Sequence, residues 1–219
     1  MKQKRKIFIV DDHPLVREWL SNLINQQPDL AVCGEAEDGP HALDGIGAKK
    51  PDVAIVDITL KGGSGIELIK DVTRLHPAVA VIVLTMHDES LYAERAFRAG
   101  AKGYVMKRDT TKNVVAAVRS VLDGKVFMSE KISAMMAARM VDGRKQGVTL
   151  TADLLSDREL EIFELIGQGW ETRRIAETLH LSLKTVQAYC ARIKDKLRLD
   201  NATELLREAI RWNDGKTGR

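Results

Sequence analysis

Asp11, Asp12, Asp57, Thr85 and Lys107 each stand just past the end of a short apolar run, and their types suit phosphoryl and cation chemistry. Three carboxylates brought to one place repel unless positive charge sits among them. Hard oxygen donors of this kind suit a divalent cation such as magnesium, which keeps several of its waters. Asp57 is then a nucleophile candidate, because a carboxylate can accept a phosphoryl group as an acyl phosphate. The charge on the transferring oxygens calls for neutralisation by metal and by an amine such as Lys107. Thr85 supplies a hydroxyl able to donate to a phosphoryl oxygen, and His87, two residues on, falls close to the same place.

The elements that must position these groups are legible in the apolar pattern. The runs over 6–10, 53–56, 79–84 and 103–106 are short, continuous and rich in β-branched residues, as buried parallel strands are. In an open α/β sheet, groups beyond the carboxyl ends of neighbouring strands converge on one crevice. Between the runs, Leu15, Trp19, Leu23 and Ile24 repeat at helical spacing, as do Ile66, Leu68, Ile69, Val72 and Leu75, and Pro28, Pro51 and Pro77 precede new strands. Alternation of this kind predicts a doubly wound parallel sheet. Taken singly, Asp12 before His13-Pro14 reads as a helix cap and Tyr104 as core packing. Gly62, Gly63 and Gly65 after Asp57 permit close backbone approach.

Residues 5 to about 123 resemble the receiver domain of two-component response regulators: Asp11-Asp12 after the first strand, Asp57 after the third, Thr85 after the fourth, and Tyr104-Val105-Met106-Lys107 at the fifth. The resemblance implies a five-stranded, flavodoxin-like receiver with Asp57 as phosphoacceptor. It further implies Asp11, Asp12, Asp57 and the Thr59 carbonyl as ligands for Mg2+, Thr85 and Lys107 as phosphoryl contacts, and Tyr104 as an aromatic switch. Arg108 stands where many receivers have proline, and Lys61-Gly62-Gly63 replaces a stretch that commonly contains one.

Downstream, Ile132, Met135, Met136, Ala137 and Met140 fall on a helical pattern, predicting a linker helix over about 129–141, and 142–147 reads as a hinge with two glycines. The region 155–212 divides into four helices. Ser156 and Glu159 have the form of a capping box. A short helix with Ile175, Ala176 and Leu179, a turn at His180-Leu181-Ser182 and a longer helix make a small all-α helix-turn-helix domain. On the third helix Val186, Cys190, Ile193 and Leu197 form an apolar face, leaving Lys184, Thr185, Gln187, Ala188, Tyr189, Ala191, Arg192 and Lys194 for double-stranded DNA. This region resembles the LuxR-type DNA-binding domain of the NarL/FixJ response regulators through Leu155-Ser156-Asp157-Arg158-Glu159, Ile175-Ala176, Leu181-Ser182, Thr185-Val186 and Lys196-Leu197. Gln187 and Tyr189 depart from that family's usual lysine and histidine. In the family the last helix pairs two such domains, implying a homodimer through Leu205, Leu206 and Ala209.

The chain thus reads as a receiver over 1–124, a linker over 125–150 and a DNA-binding domain over 151–219. Its 44% apolar and 30% charged residues place it among soluble globular proteins, and no apolar run approaches bilayer length. That excludes membrane chemistry and implies the cytoplasm. The net charge of +3 permits a nucleic-acid partner without demanding one. Two cysteines in different domains predict no disulfide. The expected function is a phosphorylation switch fed by a sensor histidine kinase, not a turnover enzyme. Two alternatives remain open at this point: a regulator whose DNA or protein contacts ignore phosphate, and, more remotely, a phosphohydrolase of the haloacid-dehalogenase type. The second lacks its usual second carboxylate, since Thr59 stands two residues after Asp57.

Overall fold

The computed structural model describes residues 3–109, 111–142 and 154–217. It divides into two compact units, residues 1–143 and 144–219. The first unit alternates β1 (Arg5–Val10), α1 (Pro14–Asn25), β2 (Leu30–Ala36), α2 (Gly39–Lys49) and β3 (Val53–Val56). A two-residue antiparallel pair, β4 (Thr59–Leu60) and β5 (Gly63–Ser64), leads to α3 (Gly65–Leu75), β6 (Ala80–Thr85), α4 (Glu89–Ala99), β7 (Gly103–Met106) and α5 (Thr111–Leu122). The five longer strands pair in parallel in the order β2-β1-β3-β6-β7, so the expected doubly wound five-stranded sheet is what the chain forms.

Strand side chains alternate between faces, which explains why these runs are apolar throughout rather than every second residue. Ile7, Ile9, Val53, Ile55, Ile82, Leu84 and Val105 meet Leu20 and Ile24 of α1 and Val114, Ala117, Val118 and Val121 of α5 in one cluster. The opposite face packs under α2, α3 and α4. There Phe8 is 2% exposed and lies where a Cβ on Gly34 or Gly45 would stand 2.5 or 2.6 Å from its ring, so both glycines are spaces the aromatic fills.

After α5 the chain runs beside β7, where Phe127 bridges Gly103, and forms α6 (Glu130–Asp142) on α4. The linker helix is thus present, and it clusters with the first unit. Of the expected hinge, residues 143–147 lie outside the described residues.

Over residues 157–217 the second unit forms α7 (Asp157–Gly167), α8 (Thr172–Thr178), α9 (Leu183–Leu197) and α10 (Ala202–Thr217). The capping box forms in both directions, Ser156 to the Glu159 amide and Glu159 back to the Ser156 amide. Phe163, Ile166, Ile175, Val186 and Ile193 make the core. α10 lies so close on α7 that a Cβ at Gly167 would stand 2.4 Å from the Ala209 carbonyl oxygen. Among the described residues no helix is long and apolar enough to cross a membrane.

Phe8→Ala removes a ring for which no neighbour can substitute, because glycines line the site. We expect a loss of about 3–5 kcal/mol from the receiver's unfolding free energy, read by urea titration, with the second unit's transition unmoved.

Candidate functional site

The backbone ladder does not stop at the strand ends, and its continuation holds the candidate residues. The Asp11 amide donates to Ala36 O at 3.1 Å, the Asp57 amide to Val10 O at 2.9 Å and the Lys107 amide to Thr85 O at 2.8 Å. Each side chain therefore leaves a fixed backbone at the same end of the sheet. Lys107 Nζ sits 2.7 Å from Asp11 Oδ2 and 2.5 Å from Asp57 Oδ2, and Asp57 Oδ1 accepts from the Ile58 amide at 2.7 Å. Asp11, Asp57 and Thr85 are all buried. Gly65 closes the turn from below: its amide donates to Ile58 O at 2.7 Å, and a Cβ there would stand 1.8 Å from Asp57 O. Of the three glycines after Asp57, this is the one whose lack of a side chain the site requires.

Asp12 is not the cap of α1. That position is His13, which makes no side-chain cap bond. Instead His13 Nδ1 lies 2.7 Å from Asp12 Oδ1 and 3.3 Å from Asp11 Oδ1, and its amide donates to Asp11 Oδ1 at 2.9 Å. Ligand atoms of Asp11, Asp12, His13 and Asp57 all fall within 4.8 Å of one another. Burial, followed by the neighbouring Asp57 charge, lifts the Asp11 carboxyl above its ordinary value despite Lys107. Burial opposes the charge of Lys107, but the Asp57 and Asp11 carboxylates outweigh it and hold the ammonium above the usual lysine value. One ammonium among these carboxylates leaves the cluster short of positive charge. The donor set, oxygen-rich and crowded, fits a hard divalent cation.

The rim of the crevice is the segment from Thr85 to Glu89. Thr85 Oγ1 accepts the His87 amide at 3.3 Å, and His87 Nε2 lies 2.8 Å from Thr59 Oγ1. Tyr104 is buried at 2% exposure, and its hydroxyl donates to the His87 carbonyl at 3.1 Å. The sequence placed His87 near the site; it did not reveal that His87 joins Thr59, Thr85 and Tyr104.

On α9 the structure leaves Lys184, Gln187, Ala188, Ala191 and Arg192 exposed, with Thr185, Tyr189 and Lys194 half-buried. Thr185 belongs to the helix start, its hydroxyl 2.7 Å from that of Ser182. Arg192 stacks over Tyr189, 4.5 Å from the ring centroid. Lys196 Nζ is held 2.6 Å from the buried Glu159. Burial raises the Glu159 carboxyl, but Lys196 and Ser156 more than compensate and keep it below its ordinary value. The three residues expected to pair two domains separate here. Leu205 and Ala209 are 4% and 0% exposed in the unit's own core, beside Trp212, whose ring centroid is 5.5 Å from that of Phe163. Leu206 is 40% exposed, as is Ile210, and these two form the apolar outer face of α10. The correction is geometric: adjacent apolar residues on a helix point to different faces.

A carboxyl whose folded value is raised favours the protonated state, so its unfavourable contribution grows as pH rises through that value. Followed stepwise from pH 4 to pH 8, the melting temperature of the metal-free protein should therefore fall once the pH passes the ordinary carboxyl value. Asp11→Asn should shrink that fall and reduce the rise in melting temperature that 10 mM magnesium gives wild type at pH 8, both read by calorimetry.

A model of the response regulator receiver domain matches residues 7–119, and one of the bacterial regulatory proteins of the LuxR family matches residues 153–209. The oxygen regulatory proteins NreC of Staphylococcus carnosus and Staphylococcus aureus are 35% identical over 210 residues, 94% of this chain and 97% of theirs. A LuxR-family two-component response regulator from Aurantimonas sp. is 37% identical with a TM-score of 0.59, covering 64% of this chain and 99% of that one. RcsB of Salmonella typhimurium is 25% identical with a TM-score of 0.65 over 96% of this chain and 98% of its own. With a receiver crevice on one unit and a LuxR-type helix-turn-helix on the other, the chain belongs to the NarL/FixJ-type response regulators, two-component regulators that bind DNA.

Proposed function

We propose that Asp57 accepts a phosphoryl group from a sensor histidine kinase, and that this converts the chain into a homodimer with raised affinity for double-stranded DNA. The observation that carries the reading is the Lys107 ammonium bridging Asp11 and Asp57 at 2.7 and 2.5 Å within a carboxylate cluster at the carboxyl ends of the strands. An Asp57 oxygen forms a bond to phosphorus while the donor's phosphorus–nitrogen bond breaks, the imidazole leaving with the electron pair and later taking a proton. Lys107, already on Asp57 Oδ2, moves to an oxygen of the incoming group, and Thr85 donates its hydroxyl to another. Bound by Asp11, Asp12, Asp57 and the Thr59 carbonyl, Mg2+ would add charge neutralisation on those oxygens. The site acts on its own carboxylate once, as a switch acceptor and not as a turnover catalyst. Nothing in this scheme needs a membrane, and we place it in the cytoplasm.

For the output, a Salmonella RcsB structure was solved on promoter DNA with the phosphomimetic BeF3−, and another shows RcsB dimers on DNA. The first supports coupling of the acceptor site to DNA binding here, and the second supports a dimer as the DNA-bound form. The exposed face of α9 supplies Lys184, Gln187, Ala188, Ala191 and Arg192, small residues between long polar ones, as entry into a major groove requires. Leu206 with Ile210 is the apolar outer face of α10 suited to a second copy.

Wild type and Asp57→Ala should be compared with magnesium, with and without BeF3−, on sites selected from random DNA by wild type. Wild type should gain dimer mass and at least about tenfold in DNA affinity, about 1.4 kcal/mol, while Asp57→Ala gains neither. Equal binding in all four conditions would instead favour a regulator that ignores phosphate.

Gln187 carries an amide of the geometry that pairs with adenine N6 and N7. Gln187→Ala should lose an adenine preference at one position of each half-site, about 1–3 kcal/mol of discrimination, with the salt dependence of binding unchanged. Base-preference profiles of the two proteins decide it.

A further inference from the structure

Glu89, the first residue of α4, is an acid at 8% exposure whose partners belong neither to the phosphoacceptor crevice nor to the DNA-binding face. Its Oε2 accepts from Ser129 Oγ at 2.8 Å, and its Oε1 lies 3.4 Å from Lys131 Nζ. Ser129 is the residue that caps α6: its Oγ accepts the Ile132 amide at 3.1 Å and its carbonyl accepts the Ser133 amide at 3.0 Å. Glu89 therefore grips the linker helix by the residue that starts it.

The other end of the same short segment is held by the phosphoacceptor crevice. Two residues before Glu89, the His87 amide reaches Thr85 Oγ1 at 3.3 Å, its ring reaches Thr59 Oγ1 at 2.8 Å, and its carbonyl takes the Tyr104 hydroxyl at 3.1 Å. Tyr104 also reaches the linker directly, its amide donating to Phe127 O at 3.0 Å, while Phe127 donates to Lys102 O at 2.9 Å. The linker is thus anchored twice: at Phe127 on the rigid edge strand β7, and at Ser129 and Lys131 on Glu89, whose segment borders the site of chemistry.

We propose that Glu89 is a clasp that holds the linker helix α6 on the receiver, and that phosphorylation of Asp57 opens it; the proposal rests on the phosphoacceptor reading above. The bond from His87 to Thr85, at 3.3 Å, is longer than those from His87 to Thr59 and Tyr104, at 2.8 and 3.1 Å. When Thr85 turns its hydroxyl to a phosphoryl group on Asp57, that bond is given up and the segment shifts with Glu89 on it. Ser129 cannot follow, because Phe127 two residues earlier stays paired to β7. Two contacts then compete for one segment, the phosphoryl group through Thr85 and the linker through Glu89. Such a competition is what a population shift requires. The freed element leads directly into residues 143–153 and the DNA-binding unit.

The test is hydrogen exchange by mass spectrometry on the full chain with magnesium, with and without BeF3−, with uptake of BeF3− followed separately by fluorine NMR. Wild type should protect the amides of 130–136 without BeF3− and exchange them at least about tenfold faster with it. Glu89→Gln and the milder Ser129→Ala should exchange them fast in both conditions and show DNA affinity raised before any BeF3− is added. If wild type takes up BeF3− while these amides stay protected, or if both variants protect them as wild type does, the clasp is wrong and the acceptor reading stands. If no BeF3− is taken up, both fall together.

Discussion

The crowding of Asp11, Asp12 and Asp57, with one ammonium bridging Asp11 and Asp57, is the constraint on which the rest of the first unit depends. Like charges so close are stable only on a scaffold that leaves them no room to separate. Three hydrogen bonds supply it by extending the ladder one residue past β1, β3 and β6–β7, at Asp11, Asp57 and Lys107. The sheet order β2-β1-β3-β6-β7 sets Asp11 beside Asp57, since β1 lies against β3, and leaves Lys107 on the far side of β6, from where its long side chain reaches both. Gly65 completes the enclosure where any side chain would collide with the Asp57 carbonyl. The electrostatic result is a site that gains by taking in positive charge or by exchanging a carboxylate for a group whose charge lies farther out. Both belong to phosphoryl transfer.

In the second unit, buried charge sorts the basic residues of the helix-turn-helix. Arg158, 6% exposed, lies 2.5 Å from Glu161 and donates to Leu179 O at 2.9 Å, tying α7 to the end of α8. Glu159 ties α7 to α9 through Lys196. Removing one partner of such a pair leaves an uncompensated buried charge, which is why these cations are structural. Lys196, although basic and on α9, is occupied in this way. Lys184 and Arg192 stand at exposed positions on the same helix, where phosphates can be met.

Four of the five parallel strands and the convergence of Asp11, Asp57, Thr85 and Lys107 were legible because β-branched runs and strand-end polar residues are local signals; β2 (Leu30–Ala36), interrupted by Cys33, Gly34 and Glu35, was implied only by Pro28 ahead of it and by the family resemblance. The capping box at Ser156 and Glu159 was legible for the same reason. Contacts across long sequence separations were not. Nothing near Lys196 indicates Glu159, 37 residues away, and nothing near Glu89 indicates Ser129, 40 away. In α10 the apolar residues 205, 206, 209 and 210 cover two faces, so periodicity alone could not say which pair faces inward. The core chose Leu205 and Ala209 because α7 presents Gly167 there, a fact visible only when both helices are placed. Gly65 was legible as a glycine and not as the one of the three whose Cβ would strike the Asp57 carbonyl.

The energetic weight of the linker's polar contacts follows from how little else binds it. Among the described side chains of α6, Ile132 alone is buried, with Met135 and Met136 half-covered. Burying one isoleucine contributes about 1.5–3 kcal/mol, and a hydrogen bond to a charged group contributes about 1.5–3 kcal/mol. The apolar and polar parts of the docking are therefore of the same size. A helix held mainly by apolar burial would ignore a shift of Glu89. One held in equal part by Glu89 changes its docking equilibrium by roughly tenfold to a hundredfold when those contacts go, at about 1.4 kcal/mol per tenfold. That matches the range in which allosteric coupling energies generally fall, about 1–3 kcal/mol. A linker poised between its two holds can thus respond to a single new charge on the receiver.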